Sequence, residues 1–242
     1  MKLLSYFLSS IFAIVYFTLL LIFHPLQWIG HTVFGYKGHR VIVDIMNWTL
    51  MKSLLILGIR TKFINNHELS KNQTLIFVSN HQSLFDICPL GWYFRKHEPK
   101  FVSKIELGSG IPSVSMNLRY GGSALIDRKN GRQAIATLGE FAKKINKESW
   151  SAVIFPEGTR SKTGKLKSFS TSGLKMITKY NPDSYIVPVT INNSWKVFKY
   201  GKFPLGIGSP ISIITHKPIK IDSLPFDDLI KKVEDRIKQH IQ

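Results

Sequence analysis

The run Asn80-His81-Gln82-Ser83-Leu84-Phe85-Asp86 sets an imidazole and a carboxylate apart by four intervening residues. An imidazole near neutral pH can take a proton and give it back. A carboxylate close by can accept its second ring N–H, fix the tautomer and stabilise the imidazolium. A second run, Phe155-Pro156-Glu157-Gly158-Thr159-Arg160, is loop-forming and carries one anion, one cation and a hydroxyl, which suits a polar headgroup. Between them lies Gly122-Ser123-Ala124-Leu125-Ile126-Asp127-Arg128. Its arginine offers a planar fork for a pair of phosphate oxygens. Ile186-Val187-Pro188-Val189-Thr190 comes last, without a titratable group, and can only line or support. Taken alone, a His and an Asp at this spacing are more often packing and capping groups. The other three runs reverse that weighting.

These residues need a scaffold, and the pattern supplies one. Thr74 to Ser79 is β-rich and ends at Asn80-His81, with a helical stretch from about Ser83, so His81 is expected at the end of a strand and the start of a helix. Ser83 suits a helix cap, and Asn80 suits side-chain bonds that hold the loop. Lys100 to Lys104 and Ser123 to Ile126 read as short strands, and Trp150 to Phe155 as a buried strand entering the Pro156-Glu157-Gly158 turn. Arg132 to Lys147 repeats apolar residues with a helical period, Leu174 to Tyr180 is helical, Tyr185 to Ile191 is a strand, and Phe226 to Ile241 is a charged amphipathic helix. Alternation of this kind predicts an α/β fold with a central mixed sheet flanked by helices.

The 242 residues accommodate one catalytic domain and a short appendage, and 44% hydrophobic content excludes disorder. Leu3 to Phe23 has no charge, Gly or Pro; its 21 residues reach roughly 30 Å as a helix, the thickness of a hydrocarbon core. No small-residue cleavage site follows, which argues against a removed signal peptide, and Trp28 suits an interfacial anchor. A polar break at Gly35 to Arg40 precedes a second mostly apolar helix, Val41 to Ile59, expected as partner of the first in a lipid-docking pair. The chain therefore divides into an N-terminal membrane-associated helical segment, 1–60, and a catalytic domain, 61–242. The charge of +18 attracts polyanions. No nucleic-acid module accompanies it, so the membrane is the expected partner. The single cysteine, Cys88, permits no intramolecular disulfide and reads as a buried small hydrophobe. Neither H-E-x-x-H nor paired ligand spacing is present, so no metal and no cofactor is implied.

In this order the four runs resemble those of the glycerolipid acyltransferases, the family that includes the 1-acylglycerol-3-phosphate acyltransferases, over roughly Thr74 to Thr190. The resemblance implies a phospholipid-biosynthetic enzyme that takes a fatty acyl group from an acyl-CoA or acyl-carrier-protein thioester and places it on a lysolipid hydroxyl. It assigns the base to His81 and its orienting partner to Asp86. Arg128 is assigned to the acceptor phosphate, and Glu157, Gly158, Thr159 and Arg160 to acceptor binding. Lys104, just past a strand, is a further candidate for phosphate or oxyanion. No serine nucleophile is needed, because the acceptor hydroxyl attacks, and Gly121 to Leu125 fails the G-x-S-x-G pattern at its last position. The implied location is membrane-associated with the catalytic domain on the cytoplasmic side.

One departure stands out. Relatives commonly follow the third run with a Phe and then lysine; here Phe169-Ser170-Thr171-Ser172-Gly173 puts hydroxyls there, with Lys162, Lys165 and Lys167 upstream. An acceptor with less negative charge, a lyso-aminolipid, therefore stays open. So do two other classes: a non-catalytic module that binds anionic lipid, and a hydrolase in which His81 activates water.

Overall fold

The computed structural model describes residues 2–70 and 73–242. Eight strands form one mixed sheet: β1 (Thr61–Asn65), β2 (Leu75–Ser79), β3 (Pro99–Lys104), β4 (Ala124–Ile126), β5 (Ser151–Ile154), β6 (Tyr185–Asn192), β7 (Ile211–Thr215) and β8 (Ile219–Lys220). Their order is β1-β7-β6-β2-β5-β3-β4, with β8 also on β6. β6, β2, β5, β3 and β4 run parallel, while β7 and β8 pair antiparallel to β6. The expected α/β fold with helices around a mixed sheet is what the chain adopts.

β2 lies in the middle and is buried throughout, as a strand covered on both faces must be. Leu75 and Phe77 enter one core with Phe85, Leu90, Phe94 and Val187. Ile76 and Val78 enter another, roofed by α4 (Gly131–Lys147), α5 (Ser172–Lys179) and α6 (Phe226–Lys238). The final helix was expected from its charge pattern, and its Leu229, Ile230, Val233 and Ile237 are the buried stripe. Two short helices, α2 (Ile87–Tyr93) and α3 (Val114–Tyr120), connect the parallel strands.

The N-terminal segment is α1 (Lys2–Ser53), interrupted once at Gly35. There φ is 63° and ψ −154°, a backbone region that glycine enters at little cost. The limbs on either side fold back on each other: Gln27 donates to the Met46 sulfur at 3.2 Å, and the Gln27 amide oxygen meets His39 Nε2 at 3.2 Å. A Cβ on Gly38 would lie 2.6 Å from the Gly30 carbonyl oxygen, so the close approach requires a glycine. The pair anticipated from sequence is present, with one boundary moved. The break is Gly35 alone, and Tyr36 to Arg40 already belongs to the second limb.

This hairpin lies along the domain. Going along the first limb, Ser9 accepts from the Leu205 N–H at 2.8 Å, and Phe12 packs edge-on to Phe85 at 5.5 Å. Leu20 accepts from the Ser113 hydroxyl at 2.6 Å, and at the start of the second limb Tyr36 stacks on Trp150 at 5.1 Å. The opposite side carries Leu3, Phe7, Ile14, Phe17, Leu21, Val33 and Phe34, all exposed. By length and composition this is a helix apolar enough to cross a membrane. Cys88 is buried against the hairpin beside Tyr16, as expected, and burial pushes its thiol up to about 12.

Candidate active site

The parallel strands deliver the candidate residues to one edge of the sheet. In the register of β2 and β5, Val78 faces Ile154, so the chain leaves both strands together, at Asn80-His81 and at Pro156-Glu157. β3 and β4 are the next two strands outward, with Lys104 opposite Ile126. In space the order is therefore His81, then the Glu157–Arg160 turn, then Lys104, then Arg128. In sequence the turn comes last. The carboxyl ends of parallel strands are where α/β sheets leave a crevice.

His81 is fixed from several sides. Its Nδ1 lies 2.9 Å from Asp86 Oδ2, and its ring stacks on Phe155 with centroids 4.0 Å apart. Its backbone N–H donates to Glu157 Oε1 at 2.7 Å, and its carbonyl accepts from the Ser161 N–H at 2.7 Å. No hydrogen bond occupies Nε2 among the described residues, and the side chain keeps 16% of its surface exposed. Asp86 is 1% exposed. Its Oδ2 also accepts the N–H groups of Gln82 at 2.8 Å and Ser83 at 2.9 Å. Two backbone donors and the imidazole nitrogen thus converge on one oxygen of a buried carboxylate. Ser83 in turn accepts from the Phe85 N–H at 3.1 Å, capping the short turn Leu84–Asp86. Asp86 thus returns to His81 through a tight turn between β2 and α2. Five residues in a strand would span too far for this contact.

The next strand over anchors the loop. Asn80 donates to the Ile191 carbonyl at 2.8 Å and accepts the Ile191 N–H at 2.7 Å, a reciprocal pair to the end of β6. Gln82 donates to the Gly164 carbonyl at 3.3 Å.

The third run forms a turn over this loop. Gly158 has φ 67°, which the turn requires. Glu157 points inward: Oε1 accepts from His81 N–H and Oε2 from Lys167 N–H at 3.0 Å. Burial pushes its carboxyl above the usual range, and those two N–H donors pull the other way. Arg128 reaches across from the end of β4 and donates to the Gly158 carbonyl. Thr159 and Arg160 are exposed. Among the described residues, Arg128 forms no ion pair with Asp127, and Arg160 forms none with Glu157 or Asp127. Lys104 is exposed at the end of β3, with no hydrogen bond or ion pair among the described residues. The site thus joins His81, Asp86, Glu157, Gly158 and Arg128 through direct bonds. Thr159, Arg160 and Lys104 stand on its open side. Sequence reading missed the inward role of Glu157 as a brace between two loops. A carboxylate beside a glycine in a turn looks the same whether it faces ligand or backbone.

Comparison with known proteins follows the same residues. The acyltransferase family model matches residues 60–192, more than half of the chain. A 1-acyl-sn-glycerol-3-phosphate acyltransferase of Saccharomyces cerevisiae is 28% identical over 195 residues, 76% of this chain and 60% of the yeast protein. A probable 1-acyl-sn-glycerol-3-phosphate acyltransferase of Mycoplasma pneumoniae is 34% identical over 145 residues, 58% of this chain and 52% of that protein. The chain thus spans between half and two thirds of the length of these relatives. The crystal structure of a 1-acyl-sn-glycerophosphate acyltransferase from Thermotoga maritima superposes with a TM-score of 0.77 at 22% identity, covering 98% of this chain and 93% of that one. At that identity the likeness is one of fold.

Proposed function

The chain belongs to the acyltransferase family, and we propose that it moves a fatty acyl group from a thioester to the free hydroxyl of 1-acylglycerol-3-phosphate, giving phosphatidate. The observation that carries this reading is the 2.9 Å bond from His81 Nδ1 to a buried Asp86, with Nε2 left unbonded beside a turn rich in cations. Nε2 takes the proton of the acceptor hydroxyl as its oxygen attacks the thioester carbonyl carbon. The tetrahedral adduct then collapses, the carbon–sulfur bond breaks, and the leaving thiolate takes the proton from His81. Asp86 holds the ring's tautomer and stabilises the imidazolium between the two transfers. Arg128, Thr159 and Arg160 bind the acceptor headgroup, with Lys104 as a further cation, and Glu157 and Gly158 shape the turn that presents them. The donor is an acyl-CoA or an acyl-carrier-protein thioester.

The packing of the hairpin supports a membrane location. One side of the first limb is fastened to the domain from Ser9 to His24, which disfavours this limb running across a bilayer alone. Its exposed apolar side suits immersion in one leaflet, parallel to the surface, with the cationic site near the headgroups. The proposed location is therefore membrane-associated, and the cytoplasmic side for the domain is part of the same proposal, carried by the family resemblance rather than by the packing.

A labelled acyl-thioester transfer assay in membranes, offering 1-acylglycerol-3-phosphate and a lyso-aminolipid separately, tests the reading. Phosphatidate as the dominant product supports it. Dominant acylation of the aminolipid would keep the chemistry and overturn the acceptor. Release of free fatty acid without any lysolipid would mark a hydrolase. His81→Ala should lower turnover by about 10²–10⁴-fold, and near-normal transfer by that variant would exclude the mechanism.

A further inference from the structure

We infer that Lys167 is a specificity-determining residue of the acceptor site, presenting its ammonium to the anionic headgroup; this deepens the function proposed above and rests on it. Lys162, Lys165 and Lys167 all follow the Pro156–Arg160 turn, but only Lys167 is built into it. Its backbone N–H donates to Glu157 Oε2 at 3.0 Å. Its Nζ donates to Thr159 Oγ1 at 2.9 Å and to the Arg160 carbonyl at 2.9 Å. Glu157 uses its other oxygen for the His81 N–H. A single buried carboxylate therefore sets the spacing between the backbone of Lys167 and that of His81.

The Glu157 carboxylate acts on the Lys167 charge from a distance, but no direct ion pair takes up the ammonium among the described residues. An ammonium has three N–H donors. Two are bound to neutral oxygens, which orient the group without neutralising it, and the third is free on an exposed side chain. None of the ion pairs among the described residues involves Lys167, Arg128 or Arg160. Arg128 is likewise bound to a neutral carbonyl, that of Gly158. Arg128 and Lys167 thus both bond to neutral oxygens of one short turn that also carries the exposed Arg160, and the turn's carboxylate, Glu157, accepts from backbone. A compact anion entering there would be attracted by these charges. A phosphate monoester, with two charges and three outer oxygens, is such an anion. The hydroxyls at Ser170 and Thr171 then leave no deficit of positive charge, because Lys167 supplies it from the other side of Phe169.

A purely structural role is the competing explanation, since Lys167 also braces the turn, and the kinetic split separates the two. The assay uses the full chain in mixed micelles with palmitoyl-CoA as donor and 1-acylglycerol-3-phosphate as acceptor. Glycerol 3-phosphate serves as an inhibitor that carries the headgroup alone. Lys167→Met should raise the acceptor KM about tenfold, the scale of one charge-assisted hydrogen bond. It should weaken glycerol 3-phosphate inhibition by the same factor and leave kcat within about twofold, while Lys167→Arg restores most of the affinity. If the inhibition constant moves less than twofold in Lys167→Met, whatever happens to kcat, the inference is overturned and Lys167 is a brace. A wild-type protein that transfers nothing to 1-acylglycerol-3-phosphate would overturn the proposed function itself, and the inference with it, before any variant is made.

Discussion

Around His81 the polar atoms are turned toward one another and shielded from solvent, whereas along residues 2–34 Ser5, Ser9 and Gln27 face the protein and many large apolar side chains face out. In the first region Asp86 is 1% exposed and accepts three N–H groups at a single oxygen. In the second, Ser5, Ser9 and Gln27 are fully buried, while Leu3 is 84% exposed and Phe34 70%. The domain is folded for water, with charge gathered at one rim. The exposed apolar face of the hairpin suits the proposed lipid setting, in which exposed hydrocarbon costs nothing and an unpaired polar group costs most. In both regions most buried polar groups find a partner, Ser9 and Gln27 in the hairpin and Asp86 Oδ2 beside His81, while the Ser5 hydroxyl and Asp86 Oδ1 have none among the described residues. The His81–Asp86 loop, proposed as catalytic, sits where the two meet: Phe85, between His81 and Asp86, packs on Phe12 and Tyr16 of the hairpin.

The sharpest way to break the comparison is at Asp86. Asp86→Asn would turn an acceptor of three N–H groups into a group that brings donors of its own. Turnover measured with saturating substrates should fall by about 10²-fold or more, together with a loss of stability of about 1–3 kcal/mol for the N–H groups left unpaired. If turnover were retained, the imidazole would not depend on that carboxylate.

The hairpin is tested by changing one face at a time. Phe17→Lys with Leu21→Lys on the outer face should detach the protein from anionic vesicles by about 10²-fold in partition coefficient, since each side chain contributes roughly 1.5–3 kcal/mol when buried. The melting temperature in detergent should hardly move. Ser9→Ala on the inner face should do the opposite: vesicle binding unchanged, and stability lower by about 1–3 kcal/mol because the Leu205 N–H loses its acceptor. Equal behaviour of the two faces would dissolve the distinction drawn between them.

The smallest effect is expected at the clamp that joins the regions. Tyr36 and Arg40 donate to Glu98 at 2.5 and 2.6 Å, and Lys100 Nζ lies 3.6 Å from Glu98 and 4.4 Å from the Trp150 ring centre. Burial pulls the Lys100 ammonium down to about 8, against about 10.4 in an unfolded chain. Between those values the folded state binds fewer protons than the unfolded one, so stability should rise as pH climbs from about 8 to about 10.4. Chemical denaturation across that window should show the rise in the wild type and a flatter profile in Lys100→Met.

Much of this was legible in the linear chain. His81 and Asp86 were readable because base and partner lie within one turn, and the strands β2, β5 and β6 because they are short, continuous and apolar. β1, β7 and β8 were not anticipated. Phe63 and Ile213 are apolar, but their neighbours Lys62 and Ser212 are polar, and the pairing that makes them strands joins residues 150 positions apart.

By itself the sequence determined what depends on neighbours along the chain: the His81–Asp86 pair, the apolar helix and a break near Gly35 that ends it, and the alternation that produces an α/β sheet. Only the tertiary structure decided what depends on strand order. Inserting β5 between β2 and β3 is what seats the Glu157 turn over His81, lets Arg128 reach Gly158, and turns Glu157 inward to link two loops. The outward face of the hairpin was decided there too. A helix apolar nearly all round carries no mark of which side meets the domain until Ser9, Leu20 and Tyr36 find their partners. Local patterns fix local geometry, whereas the choice of strand neighbour is made by long-range burial.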